Sequence, residues 1–169
     1  LFGDGAGACV LAEVDEGGII ADYMVSEGEQ GDLMQVVSDY RRNPFEAQHD
    51  MAQMPYIAMQ GQELFKVAVN SMADAVDKVL AKSGLSRTDV DWVVPHQAND
   101  RIITAVAKKL EIPKEKIFIN ISKYGNMSAA SIAVALYEAA KSGQIKKGQT
   151  VVLVAFGAGL VAGANVIKW

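Results

Sequence analysis

The stretch Val90-Asp91-Trp92-Val93-Val94-Pro95-His96-Gln97-Ala98-Asn99 passes from an apolar run, closed by Pro95, into a polar cluster and then a helical pattern. An apolar run of that length before a turn signal reads as a buried strand. The helix it feeds runs from about Asn99 to Leu110 and stops before Pro113. Upstream, Leu64, Phe65, Ala68, Val69, Met72, Ala73, Val76, Val79 and Leu80 recur at helical steps, which predicts a helix from Gly61 to Ser83 ended by Gly84. Downstream, 117–119 reads as a short strand, 128–141 as a third helix, and 150–156 and 160–168 as strands flanking Gly157-Ala158-Gly159. At the start, 6–13 and 19–25 about Gly17-Gly18 read as a β-hairpin. The alternation predicts an α/β fold with a mixed, mostly parallel central sheet of about five strands, hairpin strands at its edges and helices on both faces.

Residues 27–60 show no sustained period and hold Pro44, Pro55, His49, Met34, Met51, Met54 and Met59. A connection this long is either functional or a loop with small helices packed on the body. Flexible methionines suit a lid over an apolar ligand.

The chain has 169 residues, half of them hydrophobic and 21% charged, which fits one globular domain. Its net charge of −4 argues against nucleic acid as the main partner. One cysteine and two histidines make neither an intrachain disulfide nor a zinc site of usual ligand count. The glycine-broken run 151–163 is too short for a membrane-spanning helix, and no secretory leader is visible, so the cytoplasm is the expected location. A start at Leu1-Phe2, without methionine and directly before a glycine-rich turn, predicts a piece of a longer polypeptide.

Open α/β sheets place ligands beyond the carboxyl ends of strands. His96 falls at such an edge, as a proton carrier or hydrogen-bond donor, or as a structural histidine. The run Lys123-Tyr124-Gly125-Asn126-Met127-Ser128-Ala129-Ala130-Ser131 is a second strand-to-helix junction. Asn126 there is either a helix N-cap or, with His96, half of a two-donor site for an oxyanion or enolate. Ala155-Phe156-Gly157-Ala158-Gly159 either builds a hairpin turn or lets a backbone N–H approach a carbonyl.

The Gly3-Asp4-Gly5-Ala6-Gly7 run precedes a strand instead of opening a helix, so it is a backbone turn and not a nucleotide loop. Cys9, in an apolar run with no adjacent cation, is expected to be a buried structural thiol. His49 is expected in a solvated loop. On the helix after His96, Arg101, Lys108 and Lys109 lie opposite the apolar face, as a basic strip at the rim of the site or as a merely solvated face.

The opening Leu-Phe-Gly-Asp-Gly-Ala-Gly-Ala, then Met59-Gln60-Gly61-Gln62-Glu63-Leu64-Phe65-Lys66, Pro95-His96-Gln97-Ala98-Asn99 and Gly125-Asn126-Met127-Ser128-Ala129-Ala130-Ser131 occur in this order. Together they make the chain resemble the C-terminal half of β-ketoacyl-acyl-carrier-protein synthase III, over essentially its whole length. The resemblance implies one half of a thiolase fold with a divided Cys-His-Asn site. His96 and Asn126 match two members; the nucleophilic cysteine belongs to the N-terminal half and no residue here matches it.

The implied reaction loads an acyl group from acyl-CoA and condenses it with malonyl-carrier protein after loss of CO₂. It needs no cofactor, since coenzyme A enters as substrate thioester. The resemblance further implies Phe156 as an apolar wall, Ala158 N–H as an oxyanion donor, and Gly61, Phe65 and Asn99 along a pantetheine tunnel. Arg101, Lys108 and Lys109 would meet the acidic carrier protein. The implied partners are acyl carrier protein, acyl-CoA, the N-terminal half of the same polypeptide and a second copy in a homodimer.

Met127 replaces the family's usual threonine and Ala158 its usual glycine, which predicts an altered pocket beside Asn126 and a stiffer oxyanion turn. Two other readings fit the same residues. One is a related CoA-dependent polyketide or secondary-metabolite synthase; the other is a non-catalytic partner subunit.

Overall fold

The computed structural model describes residues 1–37 and 56–169. Its elements are strands β1 (Gly18–Ser26), β2 (Met34–Val37) and β3 (Tyr56–Met59), helix α1 (Gly61–Ser83), strand β4 (Trp92–Pro95), helices α2 (Asp100–Leu110), α3 (Ile121–Tyr124) and α4 (Ala130–Lys141), and strands β5 (Thr150–Gly157) and β6 (Val161–Lys168).

The main sheet has the order β1-β6-β5-β4. β4 and β5 pair in parallel, from Trp92↔Val151 to Pro95↔Val154, whereas β6 is antiparallel to both β5 and β1. Beyond β4, Ile117 makes a parallel bridge to Val93, and Phe118 N–H donates to the Val93 carbonyl at 2.9 Å. Five chain segments thus lie side by side, as expected, but the sheet is evenly mixed and 117–119 contributes a bridge instead of a strand.

Helices cover both faces. α1 turns Leu64, Ala68, Val69, Met72, Ala73, Val76, Val79 and Leu80 inward, with α2 beside it through Ile103, Val106 and Leu110. α4 packs Ala135 and Ala139 on Val94 and Val151 from the other side. A strand buried on both faces reads as a continuous apolar run, which is why β5 carries no alternation in sequence. Gly84, with φ of 71°, ends α1 in the left-handed conformation. The Arg87 guanidinium then binds both carboxylate oxygens of Asp77, at 2.8 and 2.7 Å, and donates to the Leu110 carbonyl at 3.2 Å, so the C-terminal ends of α1 and α2 meet.

The expected hairpin between 6–13 and 19–25 does not form. β1 pairs instead with β6, from Gly18↔Lys168 to Ser26↔Val161, and 3–14 contains no strand. Cys9 is accordingly exposed and not buried. An apolar run specifies that it will be extended but not which neighbour it pairs with, and here the last strand outcompetes the nearest one. The insert expected over 27–60 contains a 3-10 helix (Gly28–Leu33) and the antiparallel pair β2–β3, joined from Met34↔Met59 to Val37↔Tyr56. His49, Met51, Met54, Pro44 and Pro55, and with them most of the lid reading, lie outside the described residues.

Met72 sits at the centre of the α1 interface, 1% exposed. Met72→Ala is expected to lower stability by about 2–5 kcal/mol. Lys78→Ala, on the exposed face of the same helix, should change it by less than about 0.5 kcal/mol. Urea unfolding reads both, and equal midpoints for the two variants would contradict this packing.

Candidate active site

Because β4 and β5 are parallel, their carboxyl ends share one edge of the sheet. His96 is the residue immediately after β4, and its N–H donates to the Val154 carbonyl at 2.7 Å, continuing the β4–β5 ladder by one step. Phe156 lies two residues further along β5 and is buried. The Ile117 bridge brings a third segment to the same edge, and that segment leads through α3 to Asn126. His96 just after β4, Phe156 near the end of β5 and the segment leading to Asn126 thus belong to the carboxyl-end side of the parallel strands.

Burial holds the His96 imidazole below its ordinary value of 6.5, so the ring is neutral at pH 7. Among the described residues its ring makes no hydrogen bond, leaving one N–H to donate and one nitrogen to accept.

Asn126 is not a helix cap, since α4 begins at Ala130. Its Oδ1 accepts from Ser128 N–H at 2.9 Å, and Ser128 adopts a left-handed φ of 53° to make that contact. A backbone N–H requires an oxygen opposite it, which fixes the amide orientation. Nδ2, with two protons, is the end left without a partner among the described residues. Ser131 Oγ accepts from Met127 N–H at 3.0 Å and seals the turn behind.

The residue that ties the two junctions together is Gln97, quoted in a motif but assigned no role by sequence reasoning. It is wholly buried. Its Nε2 donates to the Pro95 carbonyl at 2.8 Å and the Phe118 carbonyl at 3.2 Å, and its Oε1 accepts from Asn120 N–H at 3.0 Å and Ile121 N–H at 3.2 Å. Both donors and both acceptor positions of the amide are thus in use. A polar residue just after a buried strand was the available signal, but three of its four partners lie more than twenty residues away.

Glu138 on α4 supports the same loop. It accepts from Asn120 Nδ2 at 2.9 Å and Tyr124 OH at 2.5 Å and pairs with Lys123 at 2.5 Å. Lys123 first, then Tyr124 and Asn120, holds its carboxyl down to about 2.

The remaining expected residues are distributed as follows. Asn99 caps α2, its Oδ1 accepting from Arg101 N–H at 2.9 Å. Gly61 and the half-buried Phe65 lie in the first turns of α1. α1 precedes β4 and α2 follows it, so both helices present their N-terminal ends to the His96 edge. Arg101, Lys108 and Lys109 are all exposed, yet only Arg101 stands at that edge. Lys108 and Lys109 belong to the last turn, roughly 10 Å further along the axis, where Lys109 also binds Asn70 Oδ1 at 2.6 Å. The basic strip therefore leads away from the rim.

Ala158 lies in the β5–β6 turn, and the left-handed positions there fall on Gly159 and Leu160, so alanine at 158 demands no glycine conformation. Met127 is buried and faces the first residues of the chain. Among the described residues no three His, Cys, Asp or Glu side chains gather as metal ligands, and no helix is long and apolar enough to cross a membrane.

Comparison with known proteins gives this rim a family. The profile described as "3-Oxoacyl-[acyl-carrier-protein (ACP)] synthase III C terminal" matches residues 80–169. A beta-ketoacyl-[acyl-carrier-protein] synthase III of Clostridioides difficile is 50% identical over the whole chain, which covers 52% of that relative. The crystal structure of 3-oxoacyl-[acyl-carrier-protein] synthase III from Aquifex aeolicus superposes with a TM-score of 0.80 at 44% identity, over 94% of this chain and 46% of that one. A priming beta-ketosynthase from the R1128 polyketide biosynthetic pathway superposes at 0.78 with 28% identity, over 89% of this chain and 44% of its own. The chain spans about half the length of the curated relatives it matches. With a profile over more than half of its residues and a relative half identical along all of them, the chain belongs to the C-terminal part of the 3-oxoacyl-[acyl-carrier-protein] synthase III family.

Proposed function

We propose that residues 1–169 form the C-terminal domain of a priming condensing enzyme, and that His96 and Asn126 activate its malonyl substrate. The observation that carries this reading is the pair of neutral donors at one sheet edge: an imidazole kept uncharged by burial and an amide whose oxygen is already tied to Ser128. In the proposed reaction an acyl group from acyl-CoA is held on a nucleophile supplied by the rest of the parent protein. Malonyl-carrier protein then loses CO₂: the bond from the α-carbon to the carboxylate breaks, and its electron pair moves onto the thioester oxygen as an enolate.

Two N–H groups, from His96 and Asn126 Nδ2, meet that oxygen. The enolate α-carbon attacks the acyl carbonyl and expels the nucleophile's sulfur. Ala158 N–H is the donor assigned to the oxyanion of this second step. Phe156 offers an apolar wall that disfavours the carboxylate and favours neutral CO₂. Gly61, Phe65 and Asn99 would line the pantetheine arm, and Arg101 with Lys108 and Lys109 would receive the acidic carrier protein. The parent would act in the cytoplasm as a homodimer, with coenzyme A as substrate and no cofactor of its own.

The likeness to a polyketide priming ketosynthase supports a second reading, in which the parent primes a secondary-metabolite pathway from CoA thioesters. Dependence on the carrier protein separates the two. In the full-length parent, Arg101→Glu should raise KM for malonyl-carrier protein and leave that for malonyl-CoA unchanged; equal KM values would favour the CoA-only reading.

For the donor pair, His96→Ala and Asn126→Ala should each slow malonyl decarboxylation by about 10²–10³ while acyl loading survives. Loading and decarboxylation assayed separately in the parent decide this, and an equal loss of both steps would reject the assignment. The neutral imidazole has its own signature. Its folded value lies below 6.5 while the unfolded chain titrates near 6.5. As pH falls through that window the unfolded state takes up a proton that the folded state refuses, so this contribution to stability is intact above the window and lost within it. An NMR titration of the His96 ring should show its midpoint below 6.5, and a midpoint at or above that value would remove the neutral donor.

A further inference from the structure

The Gly3-Asp4-Gly5-Ala6-Gly7 run has so far been a turn without a task. In the structure it lies against Asn126. Asn126 N–H donates to the Leu1 carbonyl at 3.0 Å and Gly3 N–H donates to the Asn126 carbonyl at 3.0 Å, closing a parallel bridge between Phe2 and Asn126. Both backbone groups of Asn126 are thereby held by the first three residues.

The run then continues over the loop and onto α4 in close contact. A Cβ on Gly3 would fall far inside contact with the Tyr124 carbonyl oxygen, one on Gly5 would meet Met127 Sδ, and one on Gly7 would overlap the Ala133 Cβ. Extended chain turns alternate residues to the same side, and positions 3, 5 and 7 obey that period. None of these glycines has a positive φ, so what requires glycine here is closeness and not an unusual conformation. Asp4 and Ala6, on the alternate positions, are exposed, and so are Gly5 and Gly7, whose free face lies opposite these contacts.

We propose that Gly3, Gly5 and Gly7 form a positioning strap for Asn126. The strap fixes the Asn126 backbone while Ser128 fixes its Oδ1, so the direction of the Nδ2 protons is determined from both ends. The strap also accounts for Met127: its buried thioether packs under Gly5 and against the strap. Widening any of the three glycines lifts the strap and lets the Asn126 amide drift from its line. The role in catalysis rests on Asn126 being a donor, as proposed above; the mechanical coupling does not.

The test uses the full-length parent and a paired substitution. Gly7→Ala should lower kcat for malonyl decarboxylation by up to ~10², as expected for a misplaced donor, with KM for malonyl-carrier protein and the rate of acyl loading near wild type. Ala133→Gly added to it vacates the colliding methyl and should restore the rate. Amide exchange at Asn126 should be slow in the wild type, fast in Gly7→Ala and slow again in the double variant.

If Gly7→Ala does not fold, Gly5→Ala and Gly5→Ala/Met127→Ala make the same comparison, because the three nearest atoms at Gly5 all belong to the Met127 side chain, with Sδ the nearest. Unchanged decarboxylation and protection in the single variant, loading and decarboxylation falling in step, or a double variant without recovery would each overturn the strap. A wild-type parent that never decarboxylates malonyl would instead defeat the functional reading, and exchange at Asn126 would then decide the strap by itself.

Discussion

Gln97 is the point through which the rest of the rim is held. Its amide is buried between the end of β4 and the segment that follows the Ile117 bridge, and it makes one hydrogen bond to the first, at Pro95, and three to the second, at Phe118, Asn120 and Ile121. The four backbone groups it serves have turned away from their own ladders at the sheet edge, where neither strand nor helix pairing is available to them. A buried backbone group without a partner costs about 1–3 kcal/mol, so no apolar side chain of similar size can take this place. The same four bonds make the junction rigid. They set how far the residue after Pro95 stands from the loop that carries Asn126, and Glu138 braces that loop from α4 through Asn120, Lys123 and Tyr124.

In the proposed reaction this rigidity serves a pair of donors that carry no charge. A cationic donor would hold the malonyl carboxylate in its ground state as strongly as it would hold a developing enolate. An imidazole kept neutral by burial and a carboxamide favour charge chiefly where their N–H groups point. Such dipoles act only if their direction is fixed in advance. Here backbone contacts hold both residues: the β4–β5 ladder holds the His96 main chain, Leu1 and Gly3 hold that of Asn126, and Ser128 holds the Asn126 Oδ1.

Much of the fold was readable from the chain because its signals are local. The apolar stripe of α1 and its Gly84 stop, the helix behind Asn99, and the two long strands at the end lie within one or two residues of where spacing put them. The error at the start is equally instructive. Residues 6–13 have a strand-like composition, but β1 pairs with β6 instead, and Cys9 is left exposed. At the site, His96 and Asn126 stood out as polar residues after apolar runs. Gln97 did not, because nothing in its own neighbourhood tells of Phe118, Asn120 and Ile121. The basic residues of α2 were visible as a strip, though their distance from the rim was not.

The sequence by itself determined the periodicities, the breaks between elements, the set of polar residues at strand ends and, through its ordered motifs, the family. These are properties of neighbouring residues, and they are written in spacings of two to four. Tertiary structure alone decided which strand β1 joins, which way the Asn126 amide faces, and why glycine recurs at 3, 5 and 7. Each of these depends on a contact between residues far apart in the chain, such as Gly3 with Tyr124 and Gly7 with Ala133, and such contacts exist only once folding has closed the loops between them.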